Sequence, residues 1–551
     1  MKLRKTLAIF LALIFVMALF AACGNGDSGT APATGGETGS SPGSSGSTGG
    51  ADTPAGPERS RIVNIGFAGI PRTLDPHNIT NGQTETNLKM NYESLIYTPR
   101  TATGYEPMLA ADWYEDPDAM YWIFYLREGV FWHNGDPFTA DDVIYSLDRV
   151  WDNQEELAFV SQYNMQVLDT WEKLDEFTVR VNFTEPFPLA GNVWRAFYIV
   201  PKLAHEEHGE DLFNLQLCYG TGPWILNEFV HGQYSHFYKN HNYWNKDFYD
   251  PYFEEVFIHY VTEPASAVAA HLAGDLDIYA PSGGINSDML ILYSGTEDRI
   301  GMVDVNTNFS AYLGFQFKDN SFFNDVNARR AFSLAIDRQL IIDAVFGGFG
   351  ILPTAFLGPG VIGFDPAIPP QEYNPDLARE LLAQSSYDGR PLEIITNAGI
   401  PNGQQVLLAI QDMVNGVGFN LTTVSVEDTA VFEERRRGSD YDLYYMHTSF
   451  IDGLPARQMN LWRNDVDRQN FVHEEMFDII EEYNQATDPA VREELARQIN
   501  WIVYNETTPQ LVITHYIATF ARDWGVIGRD MFYPDGSFTF CYVDYDPSLV
   551  P

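Results

Sequence analysis

A 35-residue stretch from Gly24 to Glu58 contains no aromatic and no long aliphatic residue, so it cannot contribute to a hydrophobic core. Gly, Ser, Thr and Pro fill 26 of its 35 positions, a composition typical of a flexible linker. Folding is therefore confined to the residues that follow. Because 45 % of the whole chain is hydrophobic, that part can form a large core and is not intrinsically disordered.

The first 22 residues have the layout of a secretion signal. Lys2, Arg4 and Lys5 precede an apolar run from Leu7 to Phe20, and small residues follow it. The run is short for a membrane-spanning helix, and no cluster of positive charge follows it, although a signal anchor stays an alternative. The segment 1–22 is therefore predicted to be removed.

The leader ends in Leu19-Phe20-Ala21-Ala22-Cys23, which resembles the lipobox of bacterial lipoproteins. Phe20 departs from that pattern, because the lipoprotein family prefers Leu at this position. The resemblance implies that Cys23 is diacylated and becomes the new N-terminus. Residues 23–58 are then a lipidated linker that tethers the folded part to the outer side of a cell membrane.

Charge and cysteine content exclude several classes of partner. With 75 Asp and Glu against 33 Lys and Arg, the formal net charge of −42 opposes binding to nucleic acid. Three cysteines are too few for a disulfide framework, and no pair has zinc-ligand spacing. Cys218 and Cys541 could pair in an oxidising exterior, but we predict two separate thiols. No metal site or cofactor is predicted.

Three short patterns that suggest enzyme or anion sites have simpler interpretations. Residues 358–363 fit the dinucleotide fingerprint, yet prolines follow where the fingerprint requires a helix. His205 and His208 stand three residues apart among acids, whereas zinc proteases need a spacing of four, so a solvated acidic helix face is expected. The basic run 435–437 follows two glutamates and is expected to be a neutralised surface turn.

Strand and helix patterns alternate along the chain. Residues 177–183 alternate apolar and polar side chains, and residues 121–126 are apolar throughout, as in half-buried and covered strands respectively. Thr139 with Asp142 predicts a capped helix start, and apolar residues between Phe332 and Ala344 predict one helix that ends at 347–348. This alternation predicts an α/β fold.

A series of longer strings in fixed order identifies a family. They are Thr73-Leu74-Asp75-Pro76, Tyr105 to Ala110, Leu126 to Val143, Gly220-Thr221-Gly222-Pro223-Trp224, Asn240 to Trp244, Gly274 to Asp277 and Ala328 to Arg338. Together they resemble the family 5 extracellular solute-binding proteins of ABC importers, which include dipeptide- and oligopeptide-binding proteins. The resemblance covers about residues 62–520. The segment from Leu126 to Val143 also has a structural interpretation as a strand, a turn and a capped helix, so these strings need not mark a pocket.

The resemblance implies a two-lobed, periplasmic-binding-protein-like fold (type II, cluster C) with an extra domain in the first lobe. Domain I would comprise residues 60–82, 185–308 and 513–551, domain II residues 83–184, and domain III residues 309–512. A solute would bind between domains I and III of a monomer and be delivered to the membrane permease of the ABC importer. No chemistry on the solute is implied, so the protein is expected not to be an enzyme.

The solute itself stays open between several alternatives. A peptide is favoured, with oligosaccharides, nickel chelates and other small polar solutes as alternatives, and a secreted hydrolase or a surface sensor on the same fold is a different class. In dipeptide-binding relatives an arginine clamps the ligand carboxylate. The comparable segment here, residues 395–403, has no basic residue, which favours longer peptides or uncharged solutes.

Asp452 is the candidate ligand-binding residue. Peptide-binding relatives place an acid after a strand of the third domain, where it pairs with the peptide α-amino group. Residues 441–446 resemble that strand, and Asp452 is the single acid between Leu443 and Met459. His447-Thr448 replaces the usual aromatic residue, and the spacing is one residue longer. A turn aspartate beside Gly453 is the alternative interpretation.

Overall fold

The computed structural model describes residues 60–550 except for 80–81, 99–103, 155, 158–164, 214–217, 282–284, 286, 401, 450–454, 465–468, 508 and 529–538. The strands are β1 (Ile62–Phe67), β2 (Ile96–Tyr97), β3 (Glu106–Pro107), β4 (Ala110–Glu115), β5 (Tyr121–Leu126), β6 (Leu168–Asp175), β7 (Thr178–Phe183), β8 (Trp224–Val230), β9 (Tyr234–Lys239), β10 (Glu255–Tyr260), β11 (Ile278–Ala280), β12 (Ile300–Phe315), β13 (Gly350–Ile351), β14 (Leu392–Asn397), β15 (Leu421–Val426), β16 (Leu443–Ser449), β17 (Gln510–Asp523), β18 (Val526–Gly528) and β19 (Val543–Tyr545).

The helices are α1 (Gly82–Leu88), α2 (Ala140–Asp152), α3 (Ala190–Trp194), α4 (Lys202–His208), α5 (Pro264–Ala273), α6 (Ser287–Leu290), α7 (Val326–Leu334), α8 (Arg338–Val345), α9 (Pro375–Gln384), α10 (Gly403–Val417), α11 (Thr429–Arg437), α12 (Ala456–Asn464), α13 (Glu474–Gln485) and α14 (Pro489–Glu506). Helices and strands alternate as predicted, so the α/β class is confirmed. Within the described part of the chain, no helix is both long enough and apolar enough to cross a membrane.

One large sheet runs through most of the described residues. Its strand order is β15-β14-β16-β12-β17-β11-β1-β10-β9-β8, and β13 is added beside β17. In the half formed by β1 and β8–β11, called the first half here, β1 runs parallel to both β10 and β11. In the second half, formed by β14–β16, β14 runs parallel to β15 and to β16. The long antiparallel strands β12 and β17, called the crossing strands, join the two halves.

A separate four-stranded antiparallel sheet, in the order β4-β5-β7-β6, packs one face against α2. The core on this face includes Trp122, Phe124 and Trp194, all almost completely buried. α2 begins with the predicted capping box: the Thr139 side chain accepts a hydrogen bond from the Asp141 amide, and Asp142 Oδ2 accepts one from the Thr139 amide. The segment from Leu126 to Val143 is thus a strand end, a turn and a capped helix start, as predicted.

A separate core lies among helices in the C-terminal part of the chain. It contains Phe356 and Leu357 together with residues of α12, α13 and α14, among them Trp462, Leu495 and Ile499. The described chain from residue 60 on forms one compact unit. The domain boundaries that the sequence suggested stay a prediction.

The prediction of a single helix between Phe332 and Ala344 is wrong. α7 ends at Leu334, and Asp337 then caps a second helix, α8, by accepting a hydrogen bond from the Leu340 amide. Leu340, which the predicted apolar face included, is 52 % exposed. A side chain that caps a helix end interrupts an apolar period.

Candidate functional site

The strand register brings the two halves of the large sheet together over the crossing strands. Tyr279 on β11 lies opposite Ala521 on β17, which in turn lies opposite Met302 on β12. The parallel strands β1 and β11 therefore end at the level of residue 303 of β12, with β17 between β11 and β12. From the other side, Ser449 at the end of β16 lies opposite Phe309 of β12.

The carboxyl ends of the parallel strands in both halves thus face each other across residues 304–309. The pairing of β12 with β17 is interrupted between Asn306 and Ser310, at the middle of this interval. Ligands of open α/β sheets bind outside the carboxyl ends of the strands. The space outside these strand ends, over the crossing strands, is the candidate functional site and is called the crevice below.

Polar side chains mark the crossing strands at this crevice. Asp304 is exposed and accepts a hydrogen bond of 2.6 Å from the Thr519 hydroxyl. The Thr519 carbonyl accepts a bond from the Ile285 amide, which ties the strand to the first half. On the other side, Ser310 Oγ and His515 Nδ1 lie 2.7 Å apart. These bonds fix the two strands to each other where the regular ladder is interrupted.

The end of β16 adds a second group of polar side chains. The Tyr445 hydroxyl lies 3.1 Å from His447 Nε2, and the His447 ring meets Phe309 edge to face. Burial lowers the pKa of His447 to about 4, so its imidazole is neutral at pH 7. Thr448 donates to the Gln458 side chain at the start of α12. The end of β16 therefore carries neutral hydrogen-bonding groups, which suit a polar solute.

The predicted site residues are placed only in part. Asp452 and Cys23 both lie outside the described residues, so their roles stay predictions. Residues 395–397 complete β14 and residues 398–400 follow it, which places this part of the segment without a basic residue at the carboxyl end of β14. It lies at the same edge of the sheet as the crevice, with β16 between β14 and the crossing strands.

The family strings meet at a buried carboxylate instead of in the crevice. Glu93 accepts hydrogen bonds of 2.8 Å from Thr221, Tyr243 and Trp244. Burial raises the pKa of Glu93, while these three donors oppose that shift. The guanidinium of Arg127 lies over the Trp244 ring, 4.8 Å from its centroid. Three separate strings thus share one structural centre.

The glycines of the string at 220–222 serve the same centre. A Cβ added to Gly220 would lie 1.6 Å from the Asn91 carbonyl oxygen, and one added to Gly222 would lie 2.8 Å from it. The Gly222 amide donates to that same oxygen, and His133 bonds to both glycine carbonyls. Only glycine fits this close backbone crossing.

The first string has a comparable structural role. Asp75 forms two hydrogen bonds of 2.9 and 3.0 Å with the Arg149 guanidinium, which also reaches His77 Nδ1 and Glu210. Arg149 holds the pKa of Asp75 low against the effect of burial. Arg149 belongs to α2, so this ion pair joins the loop after β1 to the helix of the small sheet.

Two expectations about charged runs are wrong in part, although Glu206 and Glu207 are exposed on their helix as expected. His205 is not on a solvated face: its side chain is 8 % exposed, lies 2.7 Å from the Tyr145 hydroxyl and 3.3 Å from Glu210. Residues 435–437 are the last turn of α11 and not a surface turn, and buried Arg436 pairs with Glu433. Helical spacing puts Glu433 beside Arg436, whereas Arg435 pairs with Glu393 of β14 and with Asp440 beyond the helix.

Cys218 and Cys541 lie in different parts of the core. Cys218 packs with Leu74 and Tyr92, whereas Cys541 belongs to the core of the first half, with Phe237 and Val256. Both cysteines are buried in different clusters, as the prediction of separate thiols requires. Among the described residues, no three His, Cys, Asp or Glu side chains come together in a group that could hold a metal ion.

Comparison with known proteins explains why these strings and this crevice occur together. Residues 104–470 match the family described as bacterial extracellular solute-binding proteins, family 5 middle. The chain belongs to this family. Its members are solute-binding proteins of the bacterial exterior, and the type II periplasmic-binding-protein-like fold of the prediction is confirmed by solved structures.

Relatives within the family differ in what their names say they bind. The periplasmic oligopeptide-binding protein OppA of Haemophilus influenzae is 26 % identical over 420 residues, covering 70 % of this chain and 75 % of its own. The nickel-binding periplasmic protein of Escherichia coli is 24 % identical over 398 residues, covering 68 % and 72 %. A crystal structure of Haemophilus influenzae OppA with the peptide RPPGFSPFR covers 89 % of this chain and 99 % of its own, at 20 % identity and a TM-score of 0.70.

Proposed function

We propose that this chain is the solute-binding component of an ABC importer that captures oligopeptides in the crevice over the crossing strands. The observation that supports this most directly is the meeting of the carboxyl ends of both halves over residues 304–309, in a member of a solute-binding family. The permease of the importer is the partner, and the protein acts as a monomer without chemistry on the solute. A solute-bound crevice closes by hinge motion at the crossing strands.

One feature of the chain favours peptides of more than two residues. The relatives do not decide the length, because those with comparable identity include proteins named for oligopeptides and for di- and tripeptides. At the carboxyl end of β14, residues 395–403 offer no basic side chain that could clamp the carboxylate of a dipeptide at a fixed distance. A longer peptide does not need such a clamp.

Calorimetry with peptides of different length tests this proposal. We expect the purified mature chain to bind RPPGFSPFR or tetra- to hexapeptides more tightly than the dipeptide Met-Leu, because residues 395–403 offer no basic side chain to clamp the dipeptide carboxylate. Dipeptides that bind as tightly as the longer peptides would contradict the length argument. Binding of a nickel chelate or an oligosaccharide, with no binding of any peptide, would replace the proposed solute.

Asp452 is proposed as the partner of the peptide α-amino group. Its position after β16 puts it on the chain segment that leaves the crevice edge at Ser449. We expect Asp452→Asn to weaken peptide binding by about 2–4 kcal/mol with little change in stability, because the amide keeps a turn hydrogen bond but loses the charge. Titration calorimetry and thermal unfolding of the same sample separate these effects. Unchanged affinity would leave Asp452 as a turn residue.

Cys23 is proposed as a diacylated N-terminus that holds the protein at the outer face of the cell membrane. Two acyl chains suffice for stable anchoring at about 0.8 kcal/mol per buried methylene. We expect Cys23→Ala to move the protein from the membrane pellet to the soluble fraction on cell fractionation. A variant that stays in the pellet like the wild type would show that the lipid is not the anchor.

A further inference from the structure

A contact away from the crossing strands joins the small four-stranded sheet to the helical core that contains Phe356 and Leu357. Arg492, in the first turn of α14, donates a hydrogen bond of 3.1 Å from Nη1 to the carbonyl oxygen of Pro188. Pro188 lies in the short loop between β7 and α3. The two residues are 304 positions apart in sequence, so only the tertiary fold brings them together.

The next residue extends this contact with apolar surface. Leu189 packs against the core of the small sheet and also against the helical core that contains Leu495 and Phe356. A polar bond and an apolar contact therefore lie side by side at one junction. The guanidinium of Arg492 also acts on Glu115 at the end of β4: burial raises the pKa of this carboxyl, and the positive charge opposes the rise.

Both sides of the junction are firmly held. The Phe187 amide donates to the Ala119 carbonyl, and the Phe187 ring packs edge to face on Phe183. Pro186 and Pro188 restrict the loop further, since proline fixes one backbone angle. On the other side, α14 is anchored by buried residues such as Ile499. A contact between two rigid parts restrains their relative motion more than one between flexible side chains.

We propose that Arg492, Pro188 and Leu189 form a latch, a contact that holds the part of the molecule with the small sheet against the part with α14. The latch rests on the proposed function in one respect: it favours the closed form that retains the solute. The latch forms only when these two parts approach each other, so it stabilises the closed state before any solute is present. Solute affinity then depends on residues that never touch the solute.

Small-angle X-ray scattering of the solute-free protein tests the latch alone. The sample is the mature chain from residue 23 on, carrying Cys23→Ser so that no lipid is attached. We expect Arg492→Ala to increase the radius of gyration, because the bond to the Pro188 carbonyl is lost. Arg497→Ala is the matched control, since Arg497 lies on the same helix but pairs only with Glu493 and Glu494 of that helix among its described ion pairs.

The same samples provide a second measurement with the peptide RPPGFSPFR. Loss of one charged hydrogen bond from the closed state alone should raise the dissociation constant roughly fivefold to twentyfold, mainly through faster dissociation. Arg497→Ala should bind like the wild type. If the wild type binds no peptide, the proposed function fails, while the scattering result still decides the latch.

Leu189→Ala is a second variant, which tests the latch independently if Arg492→Ala disturbs folding. An increased radius of gyration in both Arg492→Ala and Leu189→Ala, with thermal midpoints close to that of the wild type, supports the latch. Scattering of both variants indistinguishable from that of the wild type and of Arg497→Ala overturns it. A lowered midpoint with an unchanged radius of gyration also overturns it, because the contact would then serve stability and not closure.

Discussion

Replacement of His515 by glutamine is expected to make the stability of the protein less sensitive to acid. Burial lowers the pKa of His515 to about 4, and its ring lies against the backbone of Gly358 with only 2 % of its surface exposed. In the unfolded chain a histidine takes up a proton near pH 6.5. The folded state therefore excludes a proton that the unfolded state binds.

The direction of the effect follows from this difference. The contribution of His515 to stability is fully present above pH 6.5 and is lost as the pH falls towards about 4. Between pH 7.5 and pH 5 the loss is about 2 kcal/mol for this one group. His77, which is completely buried and whose pKa is also lowered to about 4, adds a loss of the same sign.

Urea unfolding of the wild type and of His515→Gln at both pH values measures the effect. Glutamine can still hydrogen-bond to Ser310 but cannot be protonated. The variant should be less stable than the wild type at pH 7.5, and this difference should shrink by about 2 kcal/mol at pH 5. Because both proteins share every carboxylate, the effect of acid on the large negative charge cancels. An equal difference at both pH values would show that His515 takes up its proton in the folded state as well.

The second large effect is expected from Gly220→Ala. The added methyl group would lie 1.6 Å from the Asn91 carbonyl oxygen and 2.4 Å from the carbonyl carbon, both backbone atoms. The chain can relieve this overlap only by separating the two segments, which weakens the Gly222-to-Asn91 hydrogen bond and the donors around Glu93. We expect a loss of about 3 kcal/mol or more in the free energy of unfolding.

Gly416→Ala is the control for this substitution. Gly416 lies within α10, and nothing would stand within 4 Å of the added methyl group. Alanine in a helix is favoured over glycine by up to about 1 kcal/mol, so this variant should be as stable as the wild type or more stable. Denaturant midpoints of the two variants decide the matter. A Gly220→Ala protein as stable as Gly416→Ala would refute the close backbone crossing.

Sequence patterns were sufficient where the local structure depends on residues close together in the chain. The capped start of α2 at Thr139 was predictable because a capping box involves residues only three positions apart. The strand of residues 121–126 was predictable for the same local reason, but the prediction that both of its faces are covered is wrong, because Tyr125 is exposed. The helix from Phe332 on was predicted too long, because an apolar period does not show that Asp337 will cap a new helix.

The centre at Glu93 could not be predicted in this way. The strings that hold Thr221, Tyr243 and Trp244 pointed to a shared ancestor, but nothing in them shows which group their donors bind. Their acceptor lies 128 to 151 residues away in the sequence. Likewise, no local signal marks Asp304 or His447 as neighbours of the crevice, because strand ends become neighbours only through the register of the crossing strands.

The sequence by itself determined the alternation of strands and helices and the family to which the chain belongs. Those properties depend on periodicity, composition and strings of nearby residues, which any short segment carries within itself. Only the tertiary structure decided that β1 and β16 end face to face, that Arg149 pairs with Asp75, and that Arg492 reaches Pro188. Such contacts depend on how distant segments pack, because a buried charge or backbone group must find its partner wherever the fold brings one.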